Sequence, residues 1–369
     1  MRTPMGHLAR TRDVYEGLQL RLNKNPIGAP RAKALYDILR LLFDREEAYI
    51  AASFPMGKAT LTDIVKATGI ERERLKEKLE RMANKGHVID YSRAGFELYF
   101  LAPTMIGLFE FTFMRVREDI PQRELARLLH EYFRDGGMGR EVFSSPTQRI
   151  RALVHEGAIP ESEVFPYDRA LEMIRYYKGG GVSMCYCRHT AHHRGTACDA
   201  PMENICTSFG LAADFLVRRG FARKASMEEM VDILQMTEEL GLVHICDNVQ
   251  QRNSFICHCC GCCCELLAGI NELRIPHAVA PSRFIPDIDP ELCSGCSSCV
   301  ESCQVSALSM VNGSVRLDEN FCLGCGVCSS HCPRHAVSMI PRRDPSPIPR
   351  NWFGLMNRIA AEKKRPARW

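Results

Sequence analysis

Cysteine is the residue type that sets this sequence apart. The chain has 369 residues and 19 cysteines. An odd number of cysteines, most of them in four short clusters, argues against paired disulfides and favours thiolates that bind metal in a reducing compartment. The sequence therefore predicts metal centres.

Eight of these cysteines form an internal repeat, which we call the C-terminal repeat. A shift of 29 residues superposes two copies of the spacing C-x2-C-x2-C-x3-C. This spacing holds cubane iron–sulfur clusters, and in two-cluster arrangements the fourth cysteine of each copy binds the other cluster. We therefore predict one [4Fe-4S] cluster on Cys293, Cys296, Cys299 and Cys332, and a second on Cys322, Cys325, Cys328 and Cys303.

The C-terminal repeat resembles bacterial two-cluster ferredoxins. That family usually has proline after the fourth cysteine; Pro333 fits, but Gln304 stands at the equivalent position of the first copy. We expect Gln304 to loosen the turn and to shift the potential of the second cluster, without affecting ligation. The alternative of two zinc sites fits less well, because zinc sites have four ligands each without the shared fourth cysteine.

Ten further cysteines lie in two dense sets in the middle of the chain. The first set, of four thiols, matches one additional cluster, with zinc binding and redox or packing roles as alternatives. The second set has six thiols in eight residues, more than one cubane or one tetrahedral ion can use, so some of them serve a second centre, a redox pair or the packing. The two sets are Cys185, Cys187, Cys198 and Cys206, and then Cys257, Cys259, Cys260, Cys262, Cys263 and Cys264.

Other side chains near these thiols have simpler interpretations. Histidines 189, 192, 193 and 258 could ligate, because imidazole replaces thiolate in some clusters. We favour them as hydrogen-bonding neighbours. Arg188 could donate to cluster sulfides or be solvated, and Cys246, which stands apart, is expected to be a buried apolar thiol.

The remaining pattern predicts an α+β protein of several domains. Between residues 46 and 103 the order is helix, helix, turn, helix and hairpin, with apolar residues at helical spacing in Leu75, Leu79 and Met82; this order is typical of a winged helix. We predict a winged-helix-like domain at 31–115, a helical linker at 116–165, a cysteine-rich α/β domain at 166–280, a two-cluster ferredoxin-like domain at 285–341 and a basic tail at 342–369.

Finer expectations complete this organisation. Residues 1–30 are expected to be an irregular lead-in, residues 280–289 a linker, and residues 202–219 a helix that Cys206 opens. Pro121 suits the first turn of a helix with an apolar face. Asn312-Gly313 between two strands is a strong hairpin signal, and Ser226-x-x-Glu229 is a capping box.

Most of the chain, from about residue 45, is similar to a family of ferredoxin-domain proteins of anaerobic bacteria and archaea. The resemblance is carried by PYDRALEMIRYYKGGGVSMCYCRHTAHHRGTACDAPMENIC and by FICHCCGCCC before the repeat. It implies a winged-helix-like N-terminal part, iron–sulfur binding and redox work, without a settled substrate. Oxygen-labile clusters also suggest an anaerobic cell.

We expect an electron-transfer protein that passes single electrons to a partner oxidoreductase. The electrons pass through two [4Fe-4S] clusters and one or two further clusters. One alternative is a redox-sensing DNA-binding regulator, but the helix ERERLKEKLERMANK alternates acid and base and has few groups that read base edges. Another is an oxidoreductase whose catalytic centre is the 257–264 run. No nucleotide fingerprint is visible, because Gly179-Gly180-Gly181 lacks the required spacing.

Composition and the two ends of the sequence bear on the class of protein and on its location in the cell. The chain is 46% hydrophobic and 25% charged with a net charge of +4, which is typical of globular proteins. The first residues lack an apolar signal core, and the longest apolar stretch, 101–114, is shorter than the ~20 residues of a spanning helix, so we expect a cytoplasmic protein. The tail could dock an acidic redox partner or a membrane surface; we favour a terminal helix packed on its own protein.

Overall fold

The computed structural model describes residues 13–93, 95–159, 165–276 and 278–366 and has a mixed α+β fold. Its N-terminal part is helical and ends in one hairpin. These elements are α1 (Val14–Leu22), α2 (Lys33–Leu42), α3 (Arg45–Ser53), α4 (Leu61–Thr68), α5 (Arg72–Asn84), β1 (Val88–Arg93) and β2 (Phe96–Leu101). Helix α1 lies where we expected an irregular lead-in, because Asp13 caps it and Leu18 and Leu22 are fully buried. Residues 1–12 of that lead-in lie outside the described residues.

The order helix, helix, turn, helix and hairpin is present as predicted, in α3, α4, α5, β1 and β2. Thr60 caps α4, and Gly69, at φ 69°, ends it. The apolar residues of α5 at helical spacing are buried: Leu75, Leu79 and Met82. Strands β1 and β2 pair antiparallel, and Ala94 of the predicted turn lies outside the described residues. Whether this order is a winged helix stays a prediction.

Three helices follow the hairpin: α6 (Phe109–Phe113), α7 (Gln122–Arg134) and α8 (Met138–Phe143). Pro121 precedes α7 directly. The predicted apolar face of α7 is buried: Leu125, Leu128, Leu129 and Phe133. Helix α7 packs against α2 and against the helix Tyr186–Arg194. That helix belongs to the cysteine-rich part of the chain at 166–280, which we call the middle segment, so α7 joins the N-terminal part to the cysteines.

The middle of the chain is built on a six-stranded antiparallel sheet with the order β3-β7-β8-β5-β4-β6. The strands are β3 (Ile150–Ala152), β4 (Gly179–Ser183), β5 (Cys206–Ser208), β6 (Arg223–Ser226), β7 (Val243–Asp247) and β8 (Phe255–Cys259). The helices are α9 (Ala170–Tyr177), α10 (Tyr186–Arg194), α11 (Gly210–Arg218), α12 (Met227–Glu239) and α13 (Glu265–Asn271). Ser226 caps α12 as predicted.

One predicted helix in this segment is wrong in its first part. Cys206 begins strand β5, and the helix begins only at Gly210. Thr207 pairs with Val182 of β4 on one side and with Ile256 of β8 on the other. Tertiary pairing on both sides therefore overrides the local helical pattern.

The C-terminal repeat contains four strands and two very short helices, and a longer helix follows it. The elements are β9 (Phe284–Ile288), α14 (Ser298–Glu301), β10 (Leu308–Val311), β11 (Ser314–Leu317), α15 (Val327–Ser330), β12 (Val337–Pro341) and α16 (Trp352–Glu362). Asn312 and Gly313, at φ 49° and 80°, form the predicted hairpin turn. The expected linker at 280–289 is wrong, because β9 pairs with β12; Pro286 is tolerated in this two-stranded sheet, where each strand has a free edge.

The tail forms the packed terminal helix that we favoured. Leu355, Met356 and Ile359 of α16 are buried against Val249. Beyond the helix, the cationic groups of Lys363 and Arg365 pair with Glu141. Residues 367–369 of the tail, including Arg368, lie outside the described residues.

The largest apolar core cluster contains residues from Tyr15 to Val327. It therefore joins segments that the sequence assigns to separate domains, and the predicted domain boundaries stay predictions. Among the described helices, none has both the length and the apolar character that crossing a membrane requires.

Candidate metal centres

Two short helices position cysteines of the C-terminal repeat. Helix α14 carries Cys299 and helix α15 carries Cys328. The turn before α15 depends on Gly324, which has φ 63° and lies so close to the strand β9 that a Cβ would be 2.0 Å from the carbonyl oxygen of Phe284. The backbone around the thiols is thus folded tightly, as cluster ligation by neighbouring cysteines requires.

The fourth cysteines of the two copies have equivalent surroundings. The Ala307 N–H donates to Cys303 Sγ at 3.3 Å, and the Ala336 N–H donates to Cys332 Sγ at 3.3 Å. Amide donors of this kind stabilise a thiolate. The repeat in the sequence is therefore also a repeat in the structure.

Electrostatic contacts group these thiols across the two copies. Cys325 interacts with two thiols of its own copy and one of the other: Cys328, Cys322 and Cys303. Cys299 interacts with Cys332 and Cys293. Cys328 also interacts with Cys299 of the other set, so the two sets lie close together and crossed ligation stays a prediction.

Burial raises the pKa of Cys328 to about 12, and it raises the pKa of Cys325 well above its usual range. A metal centre supplies the positive charge that such thiols need to ionise. In the described part of the chain, none of the eight cysteines belongs to a group whose ligand atoms all lie within 4.8 Å of one another. Four thiolates on four different irons need this wider spacing, so the donor set fits cubane clusters.

The sheet brings cysteines of the middle segment together from distant positions. Strand β4 ends just before Cys185, β5 begins at Cys206, and β8 ends with Cys257 and Cys259. Because β5 lies antiparallel between β4 and β8, these three strand ends meet at one edge of the sheet. Cys187 on α10 and Cys264 at the start of α13 approach the same edge.

The side chains of these six thiols interact pairwise in a closed ring, which we call the six-thiol ring. Its order is Cys185, Cys187, Cys264, Cys259, Cys257, Cys206 and back to Cys185. Within the described residues the six sulfurs do not form a compact group with all atoms inside 4.8 Å. The ring therefore surrounds a space larger than one metal ion.

The ring members alternate in acidity. Hydrogen bonds with Cys187 and Cys206 hold the pKa of Cys185 well below its usual range. Hydrogen bonds with Cys206 and Cys259 lower the pKa of Cys257 to about 6, while those with Cys185 and Cys257 raise the pKa of Cys206. The lowered pKa values of Cys185 and Cys257 favour their thiolate forms, the ionisation state that metal ligation needs.

The other four thiols form a separate, compact cluster, which we call the four-thiol group. Its members are Cys198, Cys260, Cys262 and Cys263, and all four sulfurs lie within 4.8 Å of one another. The four thiols 185, 187, 198 and 206, predicted as one cluster set, are therefore divided: Cys198 lies in the four-thiol group and the other three lie in the ring. The 257–264 run is divided in the same way, with three thiols in each.

Arg188 lies between the two sets of thiols. It is 1% exposed, and its guanidinium donates to the carbonyl oxygens of Pro201 and His258. Burial lowers its pKa, but Cys185, Cys260 and Cys259 outweigh this effect and raise it. A permanently charged guanidinium thus faces both centres and offsets thiolate charge.

Three of the four histidines make side-chain hydrogen bonds in the described structure, and His192 contacts the ring of His193. His189 Nδ1 pairs with the Phe113 carbonyl oxygen at 2.8 Å, and His193 pairs with His189. His258 Nδ1 pairs with Thr237 Oγ1 at 2.9 Å. Cys246 is fully buried, as predicted.

Comparison with known proteins bears on the C-terminal repeat. Residues 285–333 match the family model of a 4Fe-4S dicluster domain. This segment is a ferredoxin-like iron–sulfur domain. We call it the dicluster domain below. No curated protein and no solved structure matches the chain.

The dicluster domain contacts the middle segment through Gln304. The Gly261 N–H, between two cysteines of the four-thiol group, donates to Gln304 Oε1 at 2.7 Å, and Gln304 Nε2 donates to the Gly241 carbonyl oxygen at 3.0 Å. Asn271 donates to the carbonyl oxygens of both Gln304 and Gly261. Gln304, which we expected only to loosen a turn, instead connects the two cysteine-bearing regions.

A chain of buried side chains forms a second connection. The backbone N–H of His155 donates to the Cys325 carbonyl oxygen at 2.9 Å. The ring of His155 lies 5.0 Å from that of His244, which lies 4.8 Å from that of His258. Since His258 stands between two members of the six-thiol ring, this histidine chain links the dicluster domain to the ring.

A cavity of about 490 Å³ adjoins the six-thiol ring. All six ring thiols border it, and its other walls are largely apolar, with Leu101, Phe215 and Met356 among them. A volume of this size is typical of small-molecule sites. The cavity offers space for a metal centre next to the six ring thiols and for an apolar molecule beside that centre.

Glu110 is a half-buried carboxylate that borders this cavity. Its Oε2 accepts the Gly107 N–H at 2.7 Å. Burial raises the pKa of Glu110 to about 7, against the lowering effect of that hydrogen bond. Glu110 can therefore hold or release a proton near neutral pH.

Sequence reasoning missed three of these groups. Gln304 departs from the proline of the motif, and that departure could have indicated a contact. Glu110 interrupts the apolar stretch 101–114, which by itself argues only against a spanning helix. His155 gives no signal in the sequence, because its role depends on long-range packing.

Proposed function

We propose that the protein passes single electrons between the two [4Fe-4S] clusters of the dicluster domain and a metal centre in the six-thiol ring, and from there to a partner oxidoreductase. A [4Fe-4S] cluster supplies one-electron redox chemistry. The crossed sets predicted from the sequence hold the clusters, so Cys303 belongs to the cluster nearest the middle segment. The observation that carries the proposal concerns the next residue, Gln304, which accepts a hydrogen bond from the Gly261 N–H and donates one to the Gly241 carbonyl oxygen.

The Gln304 contact provides the test. We expect Gln304→Ala to keep both clusters, because it leaves every thiol in place, and to slow electron transfer into the middle segment at least tenfold. Rapid-freeze paramagnetic resonance after anaerobic reduction measures the rate. Gln235→Ala, at an exposed position of α12, is the matched control. Transfer at the wild-type rate in Gln304→Ala would exclude this route.

The cavity favours a second candidate function: an oxidoreductase that reduces a small, largely apolar molecule at the six-thiol ring. In this candidate, two electrons arrive singly from the dicluster domain, a proton comes from Glu110 and another from solvent, and the acceptor becomes its dihydro form. Support comes from the shared border of the cavity with all six ring thiols and with Glu110.

Nile red, an uncharged apolar dye, tests whether the cavity accepts such molecules. Ala212 borders the cavity, so Ala212→Trp narrows it and is expected to reduce the fluorescence increase on dye binding. Ala67→Trp, at an exposed position of α4 outside the cavity lining, is expected to bind dye like the wild type. Equal binding by both variants would place the dye elsewhere and count against this candidate.

We propose an architectural role for the helix–turn–helix part. Arg74 and Lys78 of α5 pair with Glu46 of α3, and Glu80 of α5 pairs with Arg219, which follows α11. Charges engaged in this way are less accessible to phosphates. Sub-micromolar, sequence-selective DNA binding at physiological salt in a mobility-shift experiment would contradict this role and favour a regulator.

A further inference from the structure

The sulfurs of the four-thiol group are spaced for one metal ion. The distances are 3.6 Å from Cys198 to Cys260, 3.6 Å from Cys198 to Cys263, and 3.6 Å from Cys262 to Cys263. A tetrahedral ion with sulfurs at about 2.3 Å holds them about 3.8 Å apart. We propose that Cys198, Cys260, Cys262 and Cys263 bind a single tetrahedral metal ion, distinct from every iron–sulfur cluster of the chain.

The same distances distinguish this site from the other two kinds of centre. Cubane thiolates bind four separate irons, and the dicluster cysteines show the wider spacing that results. A disulfide needs sulfurs about 2.05 Å apart, and all four cysteines are free thiols. Four sulfurs that are all close to one another but not bonded match the spacing of a mononuclear site.

The four cysteines of the proposed site lie in two loops. Cys198 lies between α10 and β5, and the other three lie between β8 and α13. The Cys198 N–H donates to Cys263 Sγ at 3.4 Å, so the loops are held together without metal. Gly261 is required between the ligands, because a Cβ there would lie 2.3 Å from the Gln304 carbonyl oxygen.

A nearby cation compensates part of the charge of the proposed site. Binding of a divalent ion displaces four protons from the thiols, leaving a tetrathiolate centre with a net charge of −2. Arg188, which interacts with Cys260, offsets part of this charge. Four sulfur ligands in a tetrahedron select iron or zinc over magnesium and calcium.

Metal counting on the full-length protein tests the inference. Cys262 is exposed, so Cys262→Ala carries little folding risk. We expect it to lose one metal ion per chain and to keep the cluster irons. Cys198→Ala is expected to lose the same ion, and Cys246→Ala, which removes the lone buried thiol, is expected to lose none.

Mass-spectrometric metal analysis combined with Mössbauer spectroscopy reports the number and type of ions lost. Loss of one zinc or one iron supports the site and identifies its occupant. Loss of about four irons from Cys262→Ala would show a cubane, and loss of no metal would show a packing cluster; either result overturns the inference. Neither result depends on whether electrons cross the Gln304 contact, so the proposed function is tested separately.

Discussion

The dicluster domain and the cysteine-rich middle segment both concentrate thiols, but they space the sulfurs differently. In the dicluster domain no cysteine belongs to a compact ligand group in the described structure. In the middle segment four sulfurs lie within 4.8 Å of one another, and six others interact pairwise in a ring. Spacing therefore separates three kinds of centre that cysteine counting alone treats as one.

The two regions also assemble their sites by different routes. In the dicluster domain, most ligands of each set come from one short run, and the local turn shapes them. In the middle segment, the ring depends on three strands and two helices that are far apart in sequence. The first kind of site survives small changes in packing, whereas the second kind depends on the whole sheet.

Crossed ligation in the dicluster domain gives the largest expected effect. We expect Cys332→Ala to destroy the cluster of Cys293, Cys296 and Cys299 and to spare the cluster of the run in which Cys332 lies. Cys303→Ala should have the reciprocal effect. Paramagnetic-resonance spectra of the reduced variants, recorded without oxygen, identify the missing cluster. Damage in each case to the variant's own run would mean that the ligands are not crossed.

The division of the middle thiols predicts a smaller loss of metal. Cys206→Ala should remove the centre of the six-thiol ring, because it opens the ring between Cys185 and Cys257. Cys198→Ala should leave that centre intact. Iron counts and optical spectra of the two full-length variants distinguish them. If both variants lost the same multi-iron centre, the set of 185, 187, 198 and 206 predicted from the sequence would be restored.

Sequence alone could predict the dicluster domain because its ligands follow a short repeat, and residues 285–333 match a known dicluster domain. The sequence signals for the Asn312-Gly313 hairpin and for the buried face of α5 were also local, and the structure contains both features. The ten middle cysteines were recognisable as a group for the same reason: thiols at that density are rare.

Their division into six and four could not be predicted from spacing. Cys198 lies only eight residues before Cys206, yet they belong to different sites, because β5 carries Cys206 into the sheet while Cys198 stays in the preceding loop. That separation depends on the pairing of β5 with β4 and β8, which are distant in sequence. The connecting roles of Gln304 and His155 likewise depend on contacts between regions.

Gly261 tests the connection between the two regions. A Cβ at this position would lie 2.3 Å from the Gln304 carbonyl oxygen, so Gly261→Ala must displace one backbone from the other. We expect a loss of about 1–3 kcal/mol in stability, measured as a lower melting temperature of the anaerobic protein. Gly157→Ala is the control, since a Cβ at Gly157 would have no neighbouring atom within 4 Å. An unchanged melting temperature for Gly261→Ala would mean that the regions are not held together there.

Glu238, beside the histidine chain that links the regions, gives the smallest expected effect. Burial raises its pKa to about 7, from 4.5 in the unfolded chain. The folded protein therefore binds the proton more tightly, and this carboxyl reduces stability progressively as the pH rises from about 4.5 through about 7. Removing the charge with Glu238→Gln should leave stability unchanged near pH 4.5 and increase it at pH 8.

The pKa difference corresponds to about 3 kcal/mol. Because the Glu238 side chain is 19% exposed, we expect Glu238→Gln to increase the free energy of unfolding by about 1 kcal/mol at pH 8. Melting temperatures at the two pH values, with the exposed neighbour Glu239→Gln as control, measure it. A gain of the same size at both pH values would show that the substitution acts through packing and not through the charge of Glu238.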